Sequence, residues 1–330
     1  MARILVSFLA ASLLIIPASS GSVADAAVRQ VALGVSVWDD QNPAEVDAHI
    51  AAVGTTPAIW TVWSDWGWAD KNFPTAFMNE LKSRGIVPMV NWQPIGPGDE
   101  CSLWSLDPII NGVHDAYIRQ WAQDAKAYGG RVIVRFAHEM NGYWFPWGAS
   151  RCTNTPAKFK QAWIRIWNIF RGVGGEGATN VKFLWSPYGT SQLKAHYPGK
   201  KYVDYAGFTA FNWGPNGLSG APSAPWRTMK ANYKTTVRAI SRVARRKPLI
   251  AAETGAAYLP NCASCDKVAW IRTGYPAVYA KWPRIVAIVY FDIDLTVIAN
   301  QPNWRLDSPA GALAAYRNVA NDARFQGRIP

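Results

Sequence analysis

The stretch Arg131-Val-Ile-Val-Arg-Phe-Ala-His-Glu-Met-Asn-Gly-Tyr-Trp-Phe-Pro-Trp-Gly148 decides how the chain is read. Its opening residues form the apolar run that a strand buried on both faces requires. The run carries Arg135, His138 and Glu139 and breaks at Asn141-Gly142 into a loop rich in tryptophan. A lone glutamate closing a strand is ordinarily solvated or caps a helix. This one stands among an arginine, a histidine, an asparagine and several aromatics, and such neighbours set a carboxyl group's protonation. A β/α enzyme presents a catalytic carboxylate in this way, at the carboxyl end of a strand.

Working outward, strands are expected over residues 30–37, 56–63 and 86–92 before this stretch, and over 181–185, 206–211, 248–252 and 284–291 after it. Helical patterns fall between them. Val46, Ile50 and Val53 share a face after Asn42-Pro43, and further helices are expected over 74–84, 112–128, 156–171, 226–244, 266–281 and 309–321. Gly129-Gly130 suits a helix stop, and Pro156 a helix start. Eight strands alternating with helices predict an α/β fold, a (β/α)8 TIM barrel. A doubly wound open sheet needs a glycine-rich turn after the first strand, and Gly34 stands alone there. With no repeat, low-complexity segment or linker, residues 27–330 read as one catalytic domain.

In such a barrel all strands end on one face, so Glu139 after the fourth strand and Glu253 after the seventh converge. Two carboxyl groups, one protonated and one ionised, are what glycosidic bond cleavage requires. For one to stay protonated it must be desolvated or lie beside its partner's negative charge. Arg135, four residues before Glu139, should by strand alternation point into the barrel with it, where a buried guanidinium must be paired. It would hold a catalytic carboxylate ionised and in place. Trp63, Trp66, Trp68, Trp92, Trp144, Trp147 and Trp213 follow strand ends and offer apolar platforms for sugar rings, some of them serving as core instead.

The segment Arg135-Phe-Ala-His-Glu-Met-Asn-Gly-Tyr-Trp-Phe-Pro-Trp-Gly148 resembles the acid/base signature of glycoside hydrolase family 26, a family of β-mannanases with some β-1,3-xylanases and mixed-linkage β-glucanases. Ala251-Ala-Glu-Thr-Gly255 is similar to the family's nucleophile strand. Lys201-Tyr-Val-Asp204 followed by Phe211-Asn-Trp-Gly214 resembles its sixth-strand segment. The resemblance implies retaining hydrolysis by double displacement, with Glu139 as acid/base and Glu253 as nucleophile, a pair whose carboxyl groups stand about 5 to 5.5 Å apart in retaining enzymes; no cofactor or metal is expected. It implies that His138 orients the sugar or the nucleophile side of the site. Trp144 and Trp147 would line the subsites nearest the cleaved bond, and Arg135, Trp63, Trp92 and Trp213 would complete the substrate contacts. One departure stands out: where the family's sixth strand closes with an aspartate two residues before a tyrosine that contacts the nucleophile, this chain has Thr209 and Phe211. The lost hydroxyl must then be replaced, with Tyr188 or Tyr290 as candidates. The expected substrate is β-1,4-mannan, cleaved internally. The alternatives are β-1,3-xylan, mixed-linkage β-glucan, or a barrel that binds carbohydrate without cleaving it.

The amino terminus, with Arg3, an apolar run from Ile4 to Ile16 and Ala24-Asp-Ala26, reads as a signal peptide over residues 1–26, so a secreted protein free of the membrane is expected. Its four cysteines then sit in an oxidising compartment, where three pairings exist. Cys101–Cys152 and Cys262–Cys265 are favoured because each cysteine lies in a loop after a strand, on one barrel face. Cys262-x-x-Cys265 also has the spacing of a redox motif or half a zinc site, but no second pair and no thioredoxin-like context accompanies it. The net charge of +12 is spread thinly, and its one dense run, Arg242-Val-Ala-Arg-Arg-Lys247, closes a helix where cations complement the dipole. That distribution argues for adhesion to anionic polymers over nucleic-acid binding. A monomer acting on a polysaccharide is the expectation.

Overall fold

A computed structural model describes residues 29–68, 71–218, 222–296 and 301–330; the leader expected over residues 1–26 lies outside them. Strands β1 (Ala32–Ser36), β2 (Ile59–Asp65), β3 (Val87–Gln93), β4 (Val132–Phe136), β5 (Val181–Trp185), β6 (Tyr205–Asn212), β7 (Leu249–Ala256) and β8 (Ile285–Phe291) pair in parallel and in chain order. β8 closes on β1, from Ala32 opposite Ala287 to Ser36 opposite Phe291. Helices α1 (Pro43–Val53), α2 (Thr75–Ser83), α3 (Leu106–Ile110), α4 (Asp115–Tyr128), α5 (Pro156–Arg171), α6 (Leu193–His196), α7 (Met229–Val243), α8 (Lys267–Lys281) and α9 (Ala310–Ala320) lie between and after the strands. The architecture is the (β/α)8 barrel that the alternating pattern predicts.

Helix ends are set by local chemistry. Asn42, Thr155, Thr228 and Asp266 each accept a hydrogen bond from a backbone N–H of the first turn that follows, and Gly129 ends α4 with φ of 69°. The β3 exit loop is more ordered than its glycines and prolines foretell. The Asp99 carboxylate accepts from the Cys101 and Ser102 N–H groups at 2.8 and 3.1 Å, starting a wide helical turn over Glu100–Trp104 that runs on into α3. The long helix expected from 112 therefore begins at Asp115.

Two apolar layers result from strand alternation. Ile59, Met89, Ile133, Leu184, Ile250 and Val289 fill the barrel interior, with Ile329 packed among them and its carbonyl bonded by Arg131 at the start of β4. The opposite strand faces, with Trp60, Val90, Trp92, Val134, Phe136 and Phe183, pack on the helices. Two residues beyond Met89 and Ile133, the inward positions change character and become Asn91 and Arg135. The polar layer thus begins one step above a closed apolar floor.

β7 contains the main irregularity. Its pairing with β6 shifts between Phe208 and Thr209, so that Phe208 faces Ala251 but Thr209 faces Glu253. Ile250 and Ala252 already point inward, and strict alternation would send Glu253 out to the helices. The bulge re-aims it into the barrel, as bulges near functional sites do. The strand continues three residues beyond Glu253, which was expected at its end.

Candidate active site

The backbone after β4 is strained where chemistry is expected. Ala137 and Glu139 have φ of 44° and 54°, left-handed values costly for side-chain-bearing residues, of order 1–3 kcal/mol each. Neighbouring strands hold them there: the Ala137 N–H donates to Trp92 O at 3.1 Å, and the Glu139 N–H to Ser186 O at 2.8 Å. Arg135 faces inward by alternation, but β4 ends at Phe136. These two residues, rather than a continuing strand, bring Glu139 back over the barrel mouth.

Arg135 is fully buried and organises the polar layer. Its Nη1 donates to Glu253 Oε2 at 2.8 Å and to Asn91 Oδ1 at 3.2 Å, while Nη2 donates to Thr209 Oγ1 at 3.0 Å. Thr209 Oγ1 in turn donates to Glu253 Oε2 at 3.3 Å. A buried guanidinium left unpaired would be severely destabilising, so this cluster stands or falls together. The two carboxyl groups receive opposite treatment. Glu253 is ion-paired with Arg135. Glu139 is 9% exposed and accepts a hydrogen bond from Trp144 Nε1 at 3.0 Å. Burial, reinforced by the negative charge of Glu253, raises the Glu139 carboxyl from its ordinary range to about 7, against the opposing pull of Arg135, Thr209 and Trp144. His138, buried with Arg135 nearby, is held well below the ordinary imidazole value and is neutral. One carboxyl group kept as an acid beside one locked in an ion pair can donate a proton and attack an electrophilic carbon in the same cleft.

The expected aromatic platforms divide. Trp144 is 40% exposed and forms a wall with Tyr143 and Tyr188, whose rings meet it edge-on at 5.3 and 5.0 Å. Gly142 makes this possible, since a Cβ there would lie 2.5 Å from the Trp144 ring. Trp63 and Trp213 are half-buried; Trp63 meets His138 edge-on at 5.9 Å, and Trp213 meets Trp304 edge-on at 4.9 Å. Two expectations need correction. Trp92 lies on the outward face of β3 next to inward-facing Asn91, packed on Trp121 at 5.0 Å with its Nε1 on Tyr117 Oη, so it is core between barrel and helices. Trp147 is fully buried, stacked on Phe145 at 4.3 Å, and donates from Nε1 to the His138 carbonyl at 2.8 Å. It supports the loop and offers no face to a ligand.

Neither tyrosine considered as a replacement hydroxyl reaches Glu253 by a hydrogen bond. Tyr290 is buried and donates to Trp304 O at 2.9 Å. Tyr188 lies on the Glu139 side, where burial and then the charge of Glu139 raise its phenol. Phe211 packs on Trp304 and Phe291. The hydroxyl at Glu253 comes from Thr209 itself. Asn91, the partner of Arg135, carries no signal in the sequence, and Asn141 serves the loop and not the carboxyl group it follows. The Asn141 amide clamps the β5 exit loop, donating to Tyr188 O and Ser191 O at 2.7 and 2.9 Å and accepting from the Tyr188 N–H at 2.8 Å. An Asn in a turn dipeptide gives no hint of such reach.

Disulfides join Cys101 to Cys152 and Cys262 to Cys265, with Cα atoms 5.3 Å apart in each. The first ties the β3 exit loop to the β4 exit loop beside the site. Among the described residues no group of three or more His, Cys, Asp or Glu side chains is placed to hold a metal ion, and no helix is long and apolar enough to cross a membrane.

The family model for glycosyl hydrolase family 26 matches residues 106–238, which span Glu139, Trp144, Tyr188 and Thr209. Endoglucanase H of Acetivibrio thermocellus is 30% identical over 329 residues, covering 96% of this chain and 33% of that protein. A mannan endo-1,4-beta-mannosidase of Bacillus subtilis is 27% identical over 198 residues, covering 58% of this chain and 45% of its own. This chain thus spans a third to less than half of the length of these relatives. Among solved structures, the catalytic domain of a Bacillus family 26 endo-beta-1,4-mannanase superimposes with a TM-score of 0.65 at 18% identity, over 90% of this chain and 87% of that one, a likeness of fold.

Proposed function

The chain belongs to glycosyl hydrolase family 26, and from that premise we propose that it is a secreted endo-acting β-glycanase that cleaves β-linked polysaccharide with retention of configuration. One observation carries the reading: two buried carboxyl groups face one cleft, Glu253 gripped by Arg135 and Glu139 left to burial and its neighbour's charge. In the first step Glu139 gives its proton to the glycosidic oxygen as Glu253 attacks the anomeric carbon, so that the leaving sugar departs as an alcohol and a glycosyl ester forms on Glu253. In the second, Glu139, now a carboxylate, takes a proton from water. That water oxygen attacks the same carbon, and the Glu253 carboxylate leaves.

Arg135 holds the Glu253 carboxylate in place for attack, and Asn91 holds the guanidinium in register. His138, neutral and buried against Trp63, Phe145 and Trp147, backs the cleft without adding charge to it. Trp144, Tyr143 and Tyr188 would carry the sugars on the leaving-group side of Glu139, with Trp63 and Trp213 on the other. β-1,4-Mannan is the leading substrate, supported by the relative named mannan endo-1,4-beta-mannosidase. A β-glucan is the second reading, favoured because the relative named endoglucanase H aligns with nearly the whole chain. Release of reducing ends from β-1,4-mannan, β-1,3-xylan and mixed-linkage β-glucan tests both. Wild-type protein should cleave one of the first or last, and Glu139→Gln and Glu253→Gln should each lower turnover by at least about a thousandfold, the loss of one catalytic carboxyl group from a concerted pair. Normal turnover in either variant would sink the assignment, and binding without product would identify a barrel that only holds carbohydrate.

A further inference from the structure

We propose that the outward face of α7 is a docking surface for an acidic polysaccharide, a chain with carboxylates on successive sugars, which holds the protein in place while the cleft stays open to a neutral chain. The partner is a glycan because the chain belongs to a family of glycan hydrolases. The surface requires nothing of the double displacement.

Between Tyr205 and Ala252 the sequence has no Asp or Glu. Within that span Lys230, Lys234, Arg238 and Arg242 recur at every fourth position along α7, and Arg245 and Arg246 follow its end. Cations that look scattered in the sequence are thereby gathered. A step of four residues turns only about 40° around a helix and climbs about 6 Å, so the four form one slowly winding stripe about 18 Å long. Met229, Tyr233, Val237 and Ile240 are buried against the core, and all six cations are exposed.

Acidic neighbours do not cancel this stripe. Helix α5 also carries cations and no acid, but its Lys158, Arg165 and Arg171 are matched by Asp107, Asp115 and Asp204. Among the described residues none of the six cations in and after α7 is in an ion pair. A row of unpaired cations displaces the counterions condensed on a polyanion, and their release drives binding. An open groove of about 670 Å³ between α6 and α7, lined in part by Leu193, Lys194, Ala239, Arg242 and Val243, offers a sugar unit apolar contact beside two of the cations. The one aromatic residue of α7, Tyr233, is buried, so the helix gives nucleobases no ring on which to stack. The stripe starts near the cleft. Helix α7 follows the β6 exit loop that carries Trp213, and the Asn212 side chain closes that loop, donating to Arg227 O at 2.8 Å and accepting from the Arg227 N–H at 3.2 Å. Arg135, beneath the cleft, is already paired with Glu253, so its charge is not free for an acidic sugar. Acidic and neutral chains thus have separate seats.

Retention of the full chain on polygalacturonate coupled to agarose, with bare agarose as the reference, tests the surface without turnover and so apart from the hydrolytic reading. Wild-type protein should bind the polygalacturonate beads alone, and its affinity should fall by about a hundredfold between 50 and 200 mM salt, as for about four cations that each displace a counterion. The variant Lys230→Gln/Lys234→Gln/Arg238→Gln/Arg242→Gln should lose at least about tenfold in affinity at 50 mM salt while its melting temperature and its hydrolysis of a soluble neutral glycan stay as in wild type. The control Lys71→Gln/Lys126→Gln/Lys281→Gln/Arg328→Gln removes the same charge from exposed sites elsewhere and should stay within about threefold of wild type. Should the α7 variant not fold, Lys234→Gln/Arg238→Gln takes its place, with a loss of about threefold to tenfold expected. Equal losses in the α7 and control variants would reduce the effect to net charge and overturn the docking face, as would an α7 variant that binds like wild type. A variant that loses retention on double-stranded DNA beads but keeps it on polygalacturonate would assign the face to nucleic acid and also overturn the proposal.

Discussion

Replacing Glu139 by glutamine should make the protein more stable, and only in one pH range. In the folded protein the Glu139 carboxyl titrates near about 7, against 4.5 when unperturbed, because it is buried beside Glu253. At pH below 4.5 it is protonated folded and unfolded, and its ionisation costs the fold nothing. Between 4.5 and about 7 the unfolded chain ionises freely while the folded protein resists, so stability falls as pH rises, and above about 7 the full penalty is in place. The rise from 4.5 to about 7, at about 1.4 kcal/mol for each tenfold change in proton affinity, gives a penalty of roughly 3 to 4 kcal/mol. Glutamine has the same shape, does not titrate and does not repel Glu253. Glu139→Gln should therefore melt on the order of 7 °C above wild type at pH 8.5, scaling from about 2 °C per kcal/mol for a chain of this size, and within a degree or two of it at pH 4. Differential scanning calorimetry of both proteins at a fixed scan rate across pH 4 to 9 measures this. A difference that does not grow with pH, or a destabilised variant at pH 8.5, would refute the placement of Glu139 as a buried acid.

Two further outcomes follow from individual contacts. Trp144→Phe removes the Nε1 donor to Glu139, one of the groups holding its carboxyl down, so the alkaline limb of the pH–rate profile should rise by up to about one unit and kcat should fall by about tenfold; coincident profiles would count against the contact. The Cys101–Cys152 disulfide spans 51 residues, and the Cys101→Ser/Cys152→Ser double variant should lose about 4 kcal/mol in urea unfolding by the chain-entropy estimate. A loss below about 1 kcal/mol would mean that the disulfide leaves the unfolded chain little changed.

The barrel was legible because each strand is an apolar run bounded by helix starts and stops. The same rule placed Arg135 inside, since a regular strand alternates and β4 is regular through Phe136. It failed where the backbone leaves the rule. Glu139 reaches the mouth through left-handed residues at 137 and 139, and Glu253 faces inward through a bulge, neither of which has a signature in residue type. Tryptophans could not be sorted by position near a strand end alone. Trp92 is one residue out of phase with inward-facing Asn91, and Trp147 folds back beneath His138, so both are buried, while Trp144 stays in the cleft because Gly142 leaves it room. Thr209 shows the reverse case. In sequence it is the loss of a carboxylate, and in the structure it is the hydroxyl that links Arg135 to Glu253.

Double displacement by Glu139 and Glu253 is tested most directly by proton NMR of the first minutes of hydrolysis of a cleaved β-1,4-mannan or mixed-linkage β-glucan oligosaccharide. The β-anomer of the new reducing end should appear first, with the α-anomer growing in only by mutarotation. An α-anomer formed first, from a single displacement by water, would contradict the assignment of Glu253 as nucleophile.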